Sequence, residues 1–144
     1  MYTTIIWATD GSDAADAALE EALRLAALTG ARLLAIHCDQ PVDEPGLRER
    51  LERQAASLRA KDVDAELVVE STSPEPWHVV ARVAQQRRAD LIVCGTRGLG
   101  TLSGAFLGSF TQRLLHDAPC PVLVVGPRSR LNEAVAEPRD GSAR

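Results

Sequence analysis

The sequence predicts an α/β fold: one doubly wound domain in which a five-stranded parallel β-sheet carries helices on both faces. Five short apolar, β-branched runs lack the polar–apolar alternation of a half-exposed strand, which is typical of strands covered on both faces. Amphipathic segments of helical period separate these runs, and such an alternation forms right-handed crossovers between parallel strands. The predicted strands span residues 4–9, 32–38, 64–70, 90–94 and 122–125.

The connecting segments predict four helices. The first has the clearest boundaries, since Ser12 stands in a turn at its start and Gly30 follows its end. Pro74 and Pro76 open the third helix, and proline is tolerated in a first turn because the N–H groups there have no intrahelical partner. The predicted helices span about residues 13–29, 47–58, 76–88 and 109–117.

Composition places the chain among globular proteins. It has 144 residues, 45% of them hydrophobic, and a net charge of -4, which suits one domain over residues 1–127. Residues 128–144 carry few large apolar groups, so we expect a flexible C-terminal tail. We find no apolar run of the length that a membrane span requires and no basic leader, and the acidic balance argues against nucleic-acid binding. We therefore expect a cytoplasmic protein without membrane or nucleic-acid partners.

The cysteines and histidines show no spacing typical of a redox or metal site. Cys38, Cys94 and Cys120 are odd in number and form no C-x-x-C pair, so we expect reduced thiols that pack as small apolar side chains. The histidines also lack metal-ligand spacing and are expected to be structural or surface residues; they are His37, His78 and His116. Because arginine outnumbers lysine fifteen to one, anions would be bound by guanidinium groups, backbone amides or hydroxyls.

A glycine-rich stretch at residues 95–111 connects the fourth strand to the fourth helix. Five glycines fall within fourteen residues, and a serine opens the helix. Such a loop exposes backbone N–H groups next to the positive end of a helix, an arrangement that favours phosphate. Ligands of open α/β sheets bind where the strand order reverses. If the first strand pairs with the fourth, Asp10 and this stretch meet there.

Three familiar signatures fail on this stretch. As a P-loop it has Thr101 and Leu102 where lysine and a hydroxyl residue should stand. As a dinucleotide fingerprint it ends in Ser103 instead of glycine, and it follows the fourth strand instead of the first. As a nucleophile elbow it misplaces the serine by one residue, and no histidine and acid partner is spaced to suggest a hydrolase.

The spacing that fits is Gly95-x-x-Gly98, nine residues, and then Gly108-Ser109 followed by Thr111. This spacing resembles the universal stress protein family in its ATP-binding branch. The opening I-W-A-T-D-G-S at residues 6–12 is also similar to that family, and the resemblance covers about residues 2–126. The chain departs from the family pattern at Trp7, in the short loop after the second strand, and in the P-E-P-W segment at residues 74–77.

The resemblance implies a Rossmann-like sheet of the adenine nucleotide alpha hydrolase type, with strand order 3-2-1-4-5, that binds ATP together with Mg²⁺. Asp10 matches the acidic residue after the first strand, which suits the ribose hydroxyls or a magnesium ion shared with the phosphates. Ala8 and Thr9 would line the same cleft, and Cys38 stands where the family uses a backbone group to bind the adenine edge. The residues implied around the triphosphate are Gly95, Gly98, Gly108, Ser109 and Thr111.

Some of these candidates have a second interpretation. Arg97 and Arg113 are candidates for phosphate charge on position alone, and each also fits a solvated surface arginine. Asp10 also fits a residue that only shapes the turn and caps the helix.

We expect a regulatory nucleotide-binding protein instead of an enzyme. The resemblance implies an ATP-dependent stress-response regulator that forms a homodimer, and the apolar terminal strand near residues 121–125 offers an edge for pairing. The sequence has neither an S-G-G-x-D-S loop nor an H-x-G-H element, and no residue stands out as a general base, so any hydrolysis should be slow. A slow ATP hydrolase and a nucleotide-free interaction module are the alternatives.

Overall fold

A computed structural model describes residues 1–96 and 107–126. Its sheet has five parallel strands: β1 (Thr4–Ala8), β2 (Arg32–Cys38), β3 (Ala65–Glu70), β4 (Leu91–Gly95) and β5 (Val122–Val125). They pair in the order β3-β2-β1-β4-β5. The fold class and the strand order are therefore confirmed.

Four helices cover the two faces of the sheet: α1 (Asp13–Thr29), α2 (Leu47–Ala60), α3 (Pro76–Gln86) and α4 (Ser109–Asp117). Side chains of α1 and α2 share one buried apolar core, and side chains of α3 and α4 share the other. The domain is thus doubly wound, as predicted. Within this described part of the chain, no helix is long and apolar enough to cross a membrane.

The central strand β1 explains why the apolar runs show no alternation. Ile5 and Trp7 pack into the core under α1 and α2, whereas Ile6 and Ala8 pack into the core under α3 and α4. Because both faces are covered, both sets of side chains are apolar. The chain leaves β1 toward β2 and later returns to pair β4 on its other side, so the strand order reverses between β1 and β4.

The ends of α1 follow the predicted local chemistry. The Ser12 hydroxyl accepts a hydrogen bond from the Ala15 N–H at 3.2 Å, and Gly30 adopts φ 72° while its N–H donates to Ala26 O. Trp7, the departure in β1, donates from its buried indole Nε1 to Ala15 O at 2.8 Å. The larger side chain is therefore held by the start of α1.

Most predicted boundaries match the structure, and the others differ from it by one or two residues. The strand that we expected to reach Thr9 ends at Ala8, and α3 ends at Gln86 because Arg88 adopts a left-handed φ of 52°. The predicted C-terminal tail, residues 128–144, lies outside the described residues.

Candidate functional site

A cleft opens at the carboxyl ends of β1, β2 and β4, where the strand order reverses. Its floor is mainly apolar, and its polar groups lie at the ends of the strands. The described lining residues are Ala8, Thr9, Asp10, Ser12, Ala14, Ala15, Ile36, Cys38, Gln40, Pro76, Val80, Cys94, Gly95, Thr96, Phe110 and Thr111. Six predicted site residues are among them: Ala8, Thr9, Asp10, Cys38, Gly95 and Thr111.

The end of β1 forms one wall. The Thr9 N–H donates to Ile36 O at 3.0 Å, and the Thr9 hydroxyl accepts from the Gly11 N–H at 3.0 Å. Asp10 is exposed, and its Oδ1 accepts a hydrogen bond from the Ser12 N–H at 2.9 Å. Asp10 thus shapes the turn before α1 and also presents a carboxylate to the cleft, so both interpretations of this residue fit the geometry.

Gly95 ends β4 in the opposite wall. A Cβ at this position would lie 2.3 Å from Ala14 O and 2.5 Å from the Ala14 carbonyl carbon. Glycine is needed here because the first turn of α1 packs directly on the end of β4. This requirement belongs to the fold and is independent of any phosphate.

The start of α4 completes this wall. Gly108 is the N-cap residue, with φ -57° and ψ 155°, and as a glycine it has no side chain with which to cap the helix. The first N–H groups of a helix have no intrahelical partner, so this end carries the positive pole of the helix dipole. Ser109 is exposed, and neither Gly108 nor Ser109 is among the described lining residues, although Phe110 and Thr111 are.

Thr111 is 1% exposed, and its hydroxyl donates to Gly95 O at 3.5 Å. The hydroxyl therefore ties α4 to the end of β4. Its implied role as a phosphate donor stays a prediction.

Cys38 and Cys94 line the cleft as buried free thiols. Burial raises the pKa of Cys38, whose Sγ lies 3.3 Å from Ser71 O. Burial also raises the pKa of Cys94 to about 11. Both thiols stay protonated at neutral pH and pack as small apolar groups, as expected for these two cysteines.

Arg113 is not among the described lining residues of the cleft. The Arg113 guanidinium stacks over the Trp77 ring at 4.7 Å from its centroid, so this arginine has a partner on the outer surface of α3 and α4. Arg97 and Gly98 lie outside the described residues.

Two features of the site were not predicted from the sequence. The first is the apolar floor, to which Ile36, Val80 and Phe110 contribute from three different elements. The second is His37, which is 2% exposed and lies with Asp39 and Asp43 behind the Thr9 wall. The H-x-D-x-x-x-D spacing at residues 37–43 was a visible signal for this second group.

A model of the universal stress protein family matches residues 1–126. The chain belongs to the universal stress protein family. A universal stress protein of Thermus aquaticus is 41% identical over 138 residues, which cover 87% of this chain and 99% of that protein.

Solved universal stress proteins share the fold. One, in complex with cAMP, is 28% identical and has a TM-score of 0.67, with 86% of this chain and 96% of that chain covered. Another, UspA from Lactobacillus plantarum, is 29% identical and has a TM-score of 0.63, with 86% and 97% covered.

Proposed function

We propose that this universal stress protein binds ATP with Mg²⁺ in the cleft and acts as a nucleotide-dependent stress-response regulator, as a homodimer in the cytoplasm. One observation carries the proposal. The cleft lies at the reversal of strand order between β1 and β4. The exposed Asp10 carboxylate is on one wall, and the start of α4, where the N-cap residue Gly108 has no capping side chain, is on the other. A hydroxyl-binding carboxylate facing a phosphate-binding helix end suits a nucleotide.

The floor and the rim suit different parts of such a ligand. Ile36, Val80 and Phe110 offer apolar surface to an adenine ring. Asp10 is one exposed carboxylate whose Oδ1 is already fixed by Ser12, and Mg²⁺ is commonly held by one or two carboxylates together with substrate phosphates. Asp10 therefore fits either the ribose hydroxyls or the magnesium ion.

A neighbour supports the adenine part of the proposal. The solved universal stress protein at 28% identity was in complex with cAMP, which carries the same base and ribose as ATP. The glycine and hydroxyl spacing from Gly95 to Thr111 supports a chain of phosphates in place of the cyclic one.

We expect binding without efficient hydrolysis. Asp10 is the one carboxylate among the described lining residues, and it is held by a backbone N–H. Phosphoryl transfer also needs a positioned water and charge stabilisation of the transition state. Phosphate release is therefore expected to be slow.

Two measurements on the purified protein test this function. Mass spectrometry of the denatured protein shows whether a nucleotide co-purifies. Isothermal titration calorimetry with MgATP and with cAMP should give saturable binding of MgATP in the micromolar range or tighter. Absence of saturation at millimolar MgATP would favour a nucleotide-free interaction module, tighter binding of cAMP would reassign the ligand, and fast phosphate release would favour a hydrolase.

The homodimer is proposed at the free edge of β5. The Ile92 and Thr96 N–H groups donate to Pro121 O and Val125 O, both at 3.0 Å. Alternate residues of a parallel strand bond to the same neighbour, so Val122 and Val124 direct their backbone groups away from β4. No described strand lies on this side of β5, so these groups can pair with a second copy of the chain.

Light scattering with one matched pair of variants tests the dimer. Val124→Pro removes an outward N–H and should yield a folded monomer, because proline is tolerated at such edge positions. Leu123→Pro removes a bond to β4 instead and should lower the melting temperature. A monomeric wild type, or a dimeric Val124→Pro, would contradict this interface.

A further inference from the structure

His37, Asp39 and Asp43 form a compact group at the end of β2, which we name the His–Asp cluster. One ligand atom from each residue lies within 4.8 Å of the others. The His37 side chain is 2% exposed, and the two aspartates, on the loop that follows β2, are half-buried. The cluster lies behind the Thr9 wall. None of its three residues is among the described lining residues of the cleft.

The hydrogen bonds of His37 place its Nε2 atom next to two carboxylate oxygens. Its Nδ1 lies 2.9 Å from Thr9 O, and since a carbonyl oxygen can only accept, Nδ1 carries the hydrogen. In the neutral ring Nε2 then holds a lone pair. This Nε2 faces Asp43 Oδ2 at 2.9 Å and Asp39 Oδ1 at 3.6 Å. Three acceptors then converge on one point, an arrangement that a bound cation or a second proton on the ring would satisfy.

The support around the cluster is the kind that orients metal ligands. A histidine that binds a metal usually donates its other ring N–H to a backbone carbonyl or a carboxylate, as His37 does to Thr9. Asp43 Oδ2 also accepts from the Gln40 N–H at 2.8 Å, and Arg48 donates to the outer oxygen of Asp39. Each ligand is therefore held by a group outside the cluster.

The distances fit a divalent ion. His37 Nε2 lies 2.9 Å from Asp43 Oδ2 and 3.6 Å from Asp39 Oδ1. With bonds of about 2.1 Å to a central Zn²⁺, these two separations correspond to ligand–metal–ligand angles of about 90° and about 120°. The two carboxylates carry two negative charges, of which Arg48 offsets one. One imidazole and two carboxylates are a donor set for Zn²⁺ and leave a fourth position for water.

We propose that the His–Asp cluster binds a single Zn²⁺ ion through His37 Nε2, Asp39 Oδ1 and an Asp43 carboxylate oxygen. The competing occupant is a proton on Nε2, which satisfies the same acceptors. The three ligands are not among the described lining residues of the cleft, although two residues that support them, Thr9 and Gln40, are.

The test is calorimetric titration of ZnCl₂ into EDTA-treated full-length protein. Wild type should bind one equivalent in the micromolar range and melt at a higher temperature when loaded, since a ligand that binds only the folded state stabilises it. Asp43→Asn should weaken binding at least tenfold, given that even supporting partners of metal ligands contribute about tenfold to a hundredfold.

Two control variants separate this site from surface zinc. Asp64→Asn removes an exposed carboxylate whose partner is Arg32 and leaves the cluster unchanged. His78→Asn removes a second, exposed histidine that lies 3.6 Å from Asp117. Both variants should bind Zn²⁺ as wild type does.

X-ray absorption on the loaded protein identifies the ligands. Nitrogen and oxygen scatterers at about 2.0–2.2 Å with no sulfur at about 2.3 Å would support the cluster. If wild type shows no saturable zinc binding, a proton on His37 Nε2 satisfies the cluster. If Asp43→Asn binds zinc as tightly as wild type, the metal is an adventitious ion only. A Zn–S distance would place the metal on a cysteine. Each of these three results overturns the proposal.

Discussion

The two walls of the cleft differ in how fully the protein satisfies its own polar groups. On the β1 wall, the Thr9 N–H, the Thr9 hydroxyl and the Thr9 carbonyl all have partners within 3.0 Å. On the other wall, α4 begins at Gly108, and none of the described side chains caps this helix end. The polar groups of Thr9 on the first wall already have partners, whereas the first N–H groups of α4 on the second wall have no intrahelical partner. A ligand therefore gains more hydrogen-bond energy from the second wall.

The same difference separates two glycines of one motif. Gly95 is needed because Ala14 O would lie 2.3 Å from a Cβ. Gly108 has φ -57° and ψ 155°, a conformation open to any residue, so nothing in its backbone requires glycine. A family spacing thus combines a position that the fold requires with one that we assign to the ligand.

Gly95→Val is expected to have the largest effect. The new Cβ cannot avoid Ala14 without moving α1 from β4, so unfolding in urea should show a loss of about 3 kcal/mol. Gly126→Val is the matched control, because no atom of residues 1–96 or 107–124 lies within 4 Å of a Cβ there. A Gly95→Val protein as stable as the control would mean that the packing of α1 on β4 is not required.

Gly108→Val should abolish MgATP binding while the protein stays folded. Its backbone conformation is available to valine, but the side chain would block approach of phosphate to the start of α4. Calorimetry measures the affinity, and circular dichroism the melting temperature. Wild-type affinity in this variant, as expected for Gly126→Val, would remove α4 from the site.

Asp10→Asn should weaken MgATP binding about tenfold, which corresponds to about 1.4 kcal/mol. The substitution keeps the oxygen that accepts from Ser12 and removes the charge offered to the ribose or to Mg²⁺. Asp13→Asn, an exposed acidic residue in the first turn of α1, should bind as wild type. Equal MgATP affinity of wild type and both variants would show that Asp10 only shapes the turn before α1.

Asp90→Asn tests the opposite end of β1 and β4 and should leave nucleotide affinity unchanged. Hydrogen bonds from the Thr4 N–H, the Thr3 N–H and the Thr3 hydroxyl lower the pKa of Asp90 below its ordinary 3.8. The lowered pKa of Asp90 means that its carboxylate stabilises the folded state at pH values above the ordinary pKa. This stabilisation is lost as the pH falls through the pKa of the folded state.

At pH 7 we therefore expect the Asp90→Asn melting temperature to lie about 3 °C below wild type. The gap should close in acid, below about pH 4, as the wild-type carboxyl takes up its proton. A gap that persists at low pH would show that the charge of Asp90 is not its source.

Local features of the fold could be predicted from the sequence. The Ser12 cap, the Gly30 stop and the apolar runs of the strands act within about four residues, so they are visible in a linear pattern. Strand order came from the family resemblance, since pairing between β1 and β4 joins residues more than eighty apart.

The sequence by itself thus determined the nine elements, the family and the position of the glycine-rich stretch. Only the tertiary structure decided what individual residues contact: Gly95 lies against Ala14, Arg113 on Trp77, and His37 between Thr9 and Asp43. The physical reason is that helix and strand patterns record burial, whereas a contact depends on how two distant segments are placed by the sheet. For His37 the pattern marked a histidine on a buried strand, and the fold supplied the two carboxylates around it.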